Sequence, residues 1–573
     1  MAKIKINNMD LDVSDNLTIL EAAKAHNINI PTLCYYPDLN IKSDCRVCVV
    51  EIKGQKGLVT SCSTLVKDGM VIKTNSPRAL NARKTIIEMI LSNHDSNCTA
   101  CVRNMNCELQ TISTQLGIDE HKLDKVLERK AIDDSSPALV RNPNRCIKCG
   151  RCIDVCREVQ GISVLETMGR GHDAEITPAY GSDLKDVFCV SCGQCAVVCP
   201  VGAITEKDHV DRVWQALDDS DKHVIVQVAP AVRVSLGEEL GLPLGSIVTG
   251  KLVAALKILG FTKVFDTNFT ADLTIMEEGH ELISRIQNGG KLPVLTSCCP
   301  GWINFAEHEY PEILENLSTC KSPQQMFGAL AKTYYAQREN IDPEKIFVVS
   351  VMPCTAKKFE AEREEMSVNQ KDPDVDAVLT TRELGKMIKQ MGIDFMSLKE
   401  QKFDKPDEET SGAAVIFGAS GGVMEAALRT VKEVLEDKPL EKLEFDNVRG
   451  FDGIRETDVE INDQKYKVAV VHTLSNARII AEEIKAGKSP YSFIEVMACP
   501  GGCVGGGGQP YGTTNERSRE RIHSIYQVDR LTRIRKSHDN AAVSNLYTTY
   551  LDKPLSHKSH ELLHTSYSNK SNH

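Results

Sequence analysis

From about residue 210 onward, short apolar runs of strand length alternate with amphipathic stretches of helix length. Near-continuous apolar strands separated by helices are typical of a mostly parallel sheet with both faces covered. Stretches such as GKLVAALKILG and SNARIIAEEIKAG predict the helices. The predicted strands are 223–229, 262–267, 292–297, 346–352, 413–418, 466–473 and 492–498. We therefore expect a large α/β domain with two lobes and mostly parallel sheets.

The first 209 residues have a different pattern. KIKIN, NNMD and LDVS predict a β-hairpin, and LTILEAAKAHN and LNARKTIIEMILSNH predict two helices. The polar segment 115–136 is expected to be helical and ends at DDSSP, a plausible linker. The predicted domains are 1–78, 79–126, 127–209 and 210–573.

Composition narrows the class of protein. A chain of 573 residues is too long for one core, and 41% hydrophobic with 26% charged residues is ordinary for a globular protein. The N-terminus MAKIKINNMD lacks the apolar run of an export signal, and the longest apolar runs are too short to cross a bilayer. A net charge of −11 disfavours nucleic acid as a partner. We expect a cytoplasmic protein without membrane insertion.

The 21 cysteines are grouped, which favours metal ligation over disulfides in a large chain without an export signal. CIKCGRCIDVC (146–156) and CVSCGQCAVVCP (189–200) repeat the spacing C-x2-C-x2-C-x3-C. In two-cluster ferredoxins the fourth cysteine of each run serves the other cluster. One predicted [4Fe–4S] set is Cys146, Cys149, Cys152 and Cys199, and the other is Cys189, Cys192, Cys195 and Cys156. Two complete copies and the trailing Pro200 disfavour the alternative, a pair of zinc knuckles.

Two further groups precede this repeat. Cys34, Cys45, Cys48 and Cys62 resemble the ligands of the β-grasp [2Fe–2S] domain in the large electron-transfer subunit of complex I, although the first gap of ten residues departs from the plant-type spacing. His94, Cys98, Cys101 and Cys107 could hold zinc. Their position between two iron–sulfur domains favours a cluster, whose potential a neutral histidine ligand would raise.

Six cysteines remain: Cys298, Cys299, Cys320, Cys354, Cys499 and Cys503. Three of them, Cys299, Cys354 and Cys499, follow predicted strands, and ligands bind beyond the carboxyl ends of strands in open α/β sheets. Cys503 lies in the glycine-rich loop CPGGCVGGGG, where backbone can approach a bulky group closely. Four converging thiolates would suit another [4Fe–4S] cube. The alternative is a set of buried, inert thiols.

TSCCPGW (296–302), MPCTAKKFE (352–360) and FIEVMACPGGC (493–503) resemble the three signature motifs of [FeFe]-hydrogenases. The resemblance covers essentially the whole chain, because the preceding domains have the order of the large clostridial type. It implies an H-cluster in addition to one [2Fe–2S] and three accessory [4Fe–4S] clusters. Its [4Fe–4S] part would be held by Cys299, Cys354, Cys499 and Cys503. Cys503 would bridge to a two-iron subcluster carrying CO, cyanide and an azadithiolate, which maturation proteins insert. The implied reaction is 2H⁺ + 2e⁻ ⇌ H₂.

The resemblance also assigns the pocket around the two irons. Lys357 matches a lysine that hydrogen-bonds a cyanide, a charge-assisted contact. The other matching positions are Pro230, Ala231, Pro323, Gln324, Met352, Phe417, Gly418 and Met497. Ala231 stands where the clostridial pattern has serine, and Gly301 stands where alanine is common. At both positions this chain is more similar to NADH-linked, multi-subunit hydrogenases than to the ferredoxin-only ones. The expected electron partner is therefore either ferredoxin or an NADH-linked subunit.

Glu278, Glu281 and Arg285 are spaced three and four apart on a predicted helix and so share one face. By themselves they would be taken for a solvated charged face. The resemblance implies a proton path from the surface through Arg285, Glu281, Ser318 and Glu278 to Cys298, whose thiol can pass a proton. Cys320 matches no family role, and we expect it to be a core residue.

Two other functions would fit part of the sequence pattern. The first 209 residues alone would suit a non-catalytic electron-transfer subunit, but the C-terminal cysteines and the proton path disfavour it. A hydrogen sensor of the family would tend to lose Cys298 and to carry a signalling module. Cys298 is present, so catalysis is favoured.

Overall fold

The computed structural model describes residues 1–118, 123–405 and 410–571. A mixed five-stranded sheet with the order β2-β1-β5-β3-β4 opens the chain. The predicted hairpin is confirmed, since β1 and β2 pair antiparallel. Thr18 and Glu21 form a capping box that starts the helix packed on the sheet. The elements are β1 (Ala2–Ile6), β2 (Met9–Val13), α1 (Ile19–Ala25), β3 (Val49–Ile52), β4 (Leu58–Thr60) and β5 (Val71–Lys73).

Two helices follow, α2 (Pro77–Ser92) and α3 (Glu108–Gln115). The helix predicted around 115–136 is wrong where the chain is described: α3 ends at Gln115, and 123–132 contains no helix. Gly117 has a φ of +61°, which reverses the backbone just after α3. The described part of the segment is held to the end of α2 by the Val126 amide, which donates to the Ser92 carbonyl oxygen, and by the Lys125 ammonium, which donates to the carbonyl oxygens of Leu91 and His94. Residues 119–122 lie outside the described part.

The cysteine repeat folds as two similar halves. In each, a left-handed glycine, Gly150 or Gly193, begins a short helix that carries the third cysteine of its run. β6 pairs antiparallel with β9, and β7 with β8. The elements are β6 (Leu139–Arg141), α4 (Arg151–Asp154), β7 (Glu166–Met168), β8 (Glu175–Thr177), α5 (Gln194–Val198) and β9 (Ile204–Glu206).

The remaining chain confirms the two-lobed α/β prediction. One lobe has a fully parallel sheet with the order β11-β10-β13-β14, and the other has β12-β17-β16-β15 with only the edge strand β15 antiparallel. The strands are β10 (His223–Val228), β11 (Lys263–Asp266), β12 (Val294–Leu295), β13 (Ile346–Met352), β14 (Ala377–Thr380), β15 (Ile454–Ile461), β16 (Gln464–His472) and β17 (Phe493–Met497).

Helices cover both sheets, and each lobe has its own buried apolar core. The longest, α9, brings the predicted proton path to the boundary between the lobes. No helix among the described residues is both long enough and apolar enough to span a bilayer. The helices are α6 (Val210–Asp218), α7 (Leu236–Glu239), α8 (Thr249–Leu259), α9 (Asn268–Asn288), α10 (Pro300–Glu309), α11 (Pro323–Leu330), α12 (Ala336–Glu339), α13 (Ala356–Ala361), α14 (Thr381–Gln390), α15 (Gly412–Val415), α16 (Gly422–Glu436), α17 (Leu474–Lys485), α18 (Asn515–Leu531), α19 (Ala541–Leu546) and α20 (His557–Leu563).

One predicted strand is wrong. Residues 413–418 form the end of α15 and a 3-10 turn, Ile416–Gly418. Ser411 caps this helix by accepting a hydrogen bond from the amide of Ala414. The whole segment is buried, and a fully apolar run has no periodicity that distinguishes a buried helix from a buried strand.

Candidate active site

Four of the six remaining cysteines meet between the two lobes. Cys299 follows β12 and immediately precedes α10, Cys354 follows β13, and Cys499 follows β17. Cys503 comes from the glycine-rich loop after β17. All four line one cavity at the carboxyl ends of the strands.

The cavity favours neutral thiols unless a cation is bound. Burial raises the pKa of Cys299, and it raises that of Cys354 to about 12 with help from the neighbouring Cys299 charge. Burial and the other thiolates likewise raise the pKa of Cys499 and Cys503. Bound iron would supply the positive charge that four buried thiolates need. The amide of Ala498 also donates to Cys299 Sγ at 3.4 Å. The donor set therefore fits an iron–sulfur cube.

The rest of the cavity wall is apolar. Seven of the eight predicted pocket residues line it: Pro230, Ala231, Pro323, Gln324, Met352, Phe417 and Met497. Gly418 lies behind this wall, where a Cβ would be 3.4 Å from that of Ala231. Gln324 Oε1 is buried without a hydrogen-bond partner. Such a wall with one unpartnered polar atom suits a compact group with small polar ligands.

Lys357 is the cation of this cavity. Its Nζ donates to Glu360 Oε2 at 2.8 Å and to the carbonyl oxygen of Cys298 at 3.1 Å. Burial opposes the charge, but Glu360 outweighs it and leaves the pKa of Lys357 raised. Glu360 Oε2 also accepts from Ser322 and Gln324. Glu360 is not among the predicted site residues, although Lys357 and Glu360 have the i, i+3 spacing of a helical pair.

The predicted proton path forms a continuous chain of contacts. Arg285 Nη2 lies 2.5 Å from Glu281 Oε1, and Ser318 Oγ donates to Glu281 Oε2 at 2.8 Å. The Ser318 side chain also hydrogen-bonds Glu278. Burial raises the pKa of Glu278 to about 8, and the charge of Glu281 adds to the effect. Glu278 therefore carries a proton at neutral pH.

Cys298 lies at the cavity end of the predicted path. It lines the same cavity as the four converging cysteines, and burial followed by the charge of Glu278 raises the pKa of its thiol. Cys320 is fully buried, and its Sγ lies 3.9 Å from Glu281 Oε2. Cys320 is thus a core residue beside the path.

The cysteine repeat lines two separate cavities. One is bounded by Cys146, Cys149, Cys152 and Cys199, and the other by Cys156, Cys189, Cys192 and Cys195. Each set combines three cysteines of one run with the fourth of the other. Amides of Lys148 and Val164 donate to cysteine sulfurs, to Cys146 Sγ at 3.4 Å and Cys156 Sγ at 3.3 Å.

The first four cysteines form two contacting pairs. Cys48 Sγ lies 3.4 Å from Cys62 Sγ, and Cys34 hydrogen-bonds Cys45. This contact lowers the pKa of Cys34 to about 6, so a thiolate forms there readily.

His94 is suited to metal ligation. Its Nδ1 is buried without a hydrogen-bond partner. Burial, and then the charge of Lys125, lowers its pKa to about 4, which keeps the imidazole neutral as a metal ligand must be. Cys98 and Cys101 flank a 3-10 turn, and Cys107 begins α3. Among described residues, no three His, Cys, Asp or Glu side chains stand close enough to hold a single metal ion.

The ferredoxin-like region abuts the central cavity. Gln194 Nε2 donates to the carbonyl oxygen of Gly505, and Thr355 Oγ1 donates to that of Ser191. A Cβ on Gly507 would lie 2.1 Å from the carbonyl oxygen of Cys192, so backbone meets backbone here. The charge of Cys192 acts on Cys499. The second ferredoxin-like cavity is therefore next to the central one.

Family models match this chain in five successive regions. Three cover the first part: a 2Fe-2S iron-sulfur cluster binding domain (1–77), the NADH-ubiquinone oxidoreductase-G iron-sulfur binding region (83–122) and the ferredoxin-like domain of NADH-quinone oxidoreductase subunit 3 (136–205). The other two are the C-terminal domain of the iron only hydrogenase large subunit (222–507) and the iron hydrogenase small subunit (515–570).

Individual proteins are similar to this chain over all or much of its length. NADP-reducing hydrogenase subunit HndD of Solidesulfovibrio fructosivorans is 49% identical, with 99% of each chain covered. Iron hydrogenase 1 of Clostridium pasteurianum is 43% identical over 99% of this chain and 100% of its own. A solved [FeFe]-hydrogenase, HydA(deltaEFG), is 42% identical with a TM-score of 0.57, covering 63% of this chain and 99% of that one.

Proposed function

The chain belongs to the iron-only hydrogenase family, and from that premise we propose how its own residues handle protons and electrons. It catalyses the reversible reduction of protons to H₂, with electrons carried by accessory iron–sulfur clusters. The assignment of individual residues is the proposal. It rests on one observation above all: the four converging cysteines and Cys298, the inner end of the proposed proton path, line the same cavity.

In this proposal Cys299, Cys354, Cys499 and Cys503 would hold the cube of the H-cluster, and Cys503 would also serve its two-iron part. When bound, that group supplies the site at which protons and electrons combine. Lys357 binds and orients one of its polar ligands, and Glu360 fixes Lys357 in place. The apolar wall, including Met352 and Met497, excludes water from the ligands.

Protons move along the chain's own side chains. Glu278 holds a proton at neutral pH and is placed to pass it to Cys298. Ser318 bridges the two glutamates and can donate to one while it accepts from the other. Arg285 orients Glu281 at the outer end, and its guanidinium stays charged throughout. Cys298 is the last carrier, and it holds no iron.

Electrons move through the N-terminal regions. We propose one [2Fe–2S] cluster on Cys34, Cys45, Cys48 and Cys62, and a cube on His94, Cys98, Cys101 and Cys107. The two ferredoxin-like cubes follow, the last of them held by Cys156, Cys189, Cys192 and Cys195. The close approach of Gly507 to Cys192 supports the proposal that this set is the last one before the central cavity. The proposed domain limits are 1–78, 79–126, 127–209 and 210–573.

The proposed electron partner is a nicotinamide-linked redox subunit. The similar HndD is by its name a subunit of an NADP-reducing hydrogenase, and Ala231 and Gly301 also favour this class. Ferredoxin is the alternative. Comparing H₂ production from reduced ferredoxin, NADH and NADPH, with and without candidate subunits, decides between them. Turnover with ferredoxin alone at the full rate would contradict the proposal of a nicotinamide-linked partner.

We also propose a cytoplasmic location and insertion of the two-iron group by maturation proteins. The many unpaired cysteines are suited to a reducing compartment. Cell fractionation tests the location. Comparison of protein expressed with and without maturation proteins tests the insertion.

Infrared spectroscopy tests the function itself. Matured protein should show stretching bands of metal-bound CO and cyanide and should evolve H₂ from a reduced dye. Matured protein that lacks both the bands and H₂ evolution would contradict the proposed cofactor and its site.

A further inference from the structure

A buried carboxylate, an imidazole and a hydroxyl form a line beside the proposed proton path. Glu277 on α9 accepts from His564, whose Nε2 lies 3.1 Å from Glu277 Oε2. His564 Nδ1 lies 2.8 Å from Thr319 Oγ1. His564 follows α20 near the C-terminal end, and it pairs with Cys320 through a β-bridge. None of these three residues belongs to a predicted site.

The ionisation state of Glu277 determines which atoms donate and which accept in these hydrogen bonds. Burial disfavours the Glu277 carboxylate, but bonds from His564 and Tyr547 outweigh it and leave the pKa of Glu277 lowered. An ionised Glu277 can only accept, so Nε2 of His564 carries a hydrogen. In the neutral imidazole, Nδ1 must then accept from the Thr319 hydroxyl. Protonation of His564 reverses this last bond, because both ring nitrogens become donors.

Thr319 connects the line to the proton path. Its amide nitrogen lies 3.2 Å from Glu281 Oε2 and 3.4 Å from Oε1. The other partner of Glu281 at the outer end is Arg285, whose guanidinium does not titrate near neutral pH. His564 is the neighbouring side chain whose ring can be either neutral or positively charged.

We propose that His564 is a positioning residue for proton transfer: its protonation state, felt through Thr319 and through space, sets how readily Glu281 takes up a proton. This role rests on the proton path proposed above. A protonated His564 adds a positive charge near Glu281 and stabilises the carboxylate. Glu281 then remains able to receive an outgoing proton in acid, when H₂ is being oxidised.

Several other groups face His564. Glu277 and Glu281 approach from α9, and Tyr547 reaches the same carboxylate as His564, with its hydroxyl 2.6 Å from Glu277 Oε1. The His560 ring lies 4.2 Å from the His564 ring between centroids. Burial and the His564 charge lower the pKa of His560. The buried Cys320 thiol is held neutral by a pKa raised well above its ordinary value.

The test uses two variants that cannot titrate. His564→Asn can keep the contact to Thr319, and His564→Gln can keep the contact to Glu277, so either one that folds is informative. His557→Asn is the matched control, an exposed histidine on α20. The Glu281 carboxyl band is followed by infrared difference spectroscopy against pH and assigned with Glu281→Gln. Protein without the two-iron group is used, so this measurement does not depend on turnover.

We expect Glu281 to become protonated at a pH about one unit higher in both His564 variants and at an unchanged pH in the control. In matured enzyme, the acid-side loss of H₂ oxidation should move by the same amount. Titration of the Glu281 band at the wild-type pH in a folded His564 variant would overturn the inference. A shifted band with an unshifted activity profile would instead show that Glu281 is not on the proton path.

Discussion

The salt bridge between Lys357 and Glu360 holds the Lys357 side chain in position at the cavity wall. Glu360 is buried, and its Oε2 accepts from Lys357, Ser322 and Gln324. Removing one partner of such a buried pair leaves an uncompensated charge. The sequence motif predicted Lys357 as a ligand-binding residue but not the carboxylate that fixes it. Two of the three donors to Glu360 come from a distant loop and α11, and spacing along the chain does not show that contact.

Glu360→Gln should therefore lower the free energy of unfolding by about 3 kcal/mol. It should also lower the fraction of matured protein with CO and cyanide bands, because Lys357 loses its fixed position. Chemical denaturation and infrared spectroscopy measure the two effects. The control is Glu364→Gln, an exposed carboxylate just beyond α13, which should change stability by less than about 0.5 kcal/mol. Equal losses in the two variants would contradict the assigned role.

At the level of elements, α9 carries Glu278, Glu281 and Arg285 of the proposed proton path on one face. Its periodicity predicted the helix well, and its charged stripe was identified only through the family motifs. Short or wholly buried elements were less predictable. β14 was missed, and 413–418 was predicted as a strand, because propensity and periodicity are weak signals there. The longer edge strand β15 was also missed, because its partly exposed sequence IRETDVEI contains no continuous apolar run. The pairing of β14 with β13 depends on tertiary contact.

The pKa of Glu278 on α9 gives a test by pH. Burial raises it to about 8, against about 4.3 for an exposed glutamate. The folded state favours the neutral carboxyl of Glu278. Its contribution to the free energy of unfolding is therefore fully present below about pH 4 and is lost as the pH rises towards 8. Glu278→Gln removes this loss. It should be more stable than the wild type at pH 8 by on the order of 5 kcal/mol, with little difference near pH 4.

The same variant should lose H₂ turnover by about 100-fold or more, because an amide cannot relay a proton. In the wild type, H₂ production should fall above about pH 8 as Glu278 loses its proton. Thermal unfolding at the two pH values and a dye-linked assay measure these effects. A variant with a wild-type stability profile would show that Glu278 is not buried as an acid.

At the scale of the whole molecule, the ferredoxin-like region is joined to the catalytic lobes by backbone contact. Gly507 meets Cys192 at a distance that no side chain could fit. The sequence predicted the groups of cysteines, because ligand spacing is local within each loop. It could not predict contacts across the fold: His564 lies 245 residues from Thr319 and 287 from Glu277. These links exist only in the folded chain.

Gly507→Ala should therefore push the last accessory cluster away from the H-cluster. H₂ production driven by the protein partner should fall several-fold, because electron transfer is sensitive to distance, while the CO and cyanide bands persist. Gly57→Ala is the control, since a Cβ there meets no atom within 4 Å. Partner-driven turnover at the wild-type rate in Gly507→Ala would contradict this electron route.

The central proposal is that two adjacent thiols have different roles: Cys299 binds iron and Cys298 transfers protons. The most direct measurement is Cys298→Ser, with infrared spectrum and H₂ turnover recorded on the same sample. Serine keeps the size of the side chain but is a far weaker acid than a thiol. The account predicts unchanged CO and cyanide bands and a loss of turnover of about 100-fold or more. Wild-type turnover, or disappearance of the bands, would contradict it.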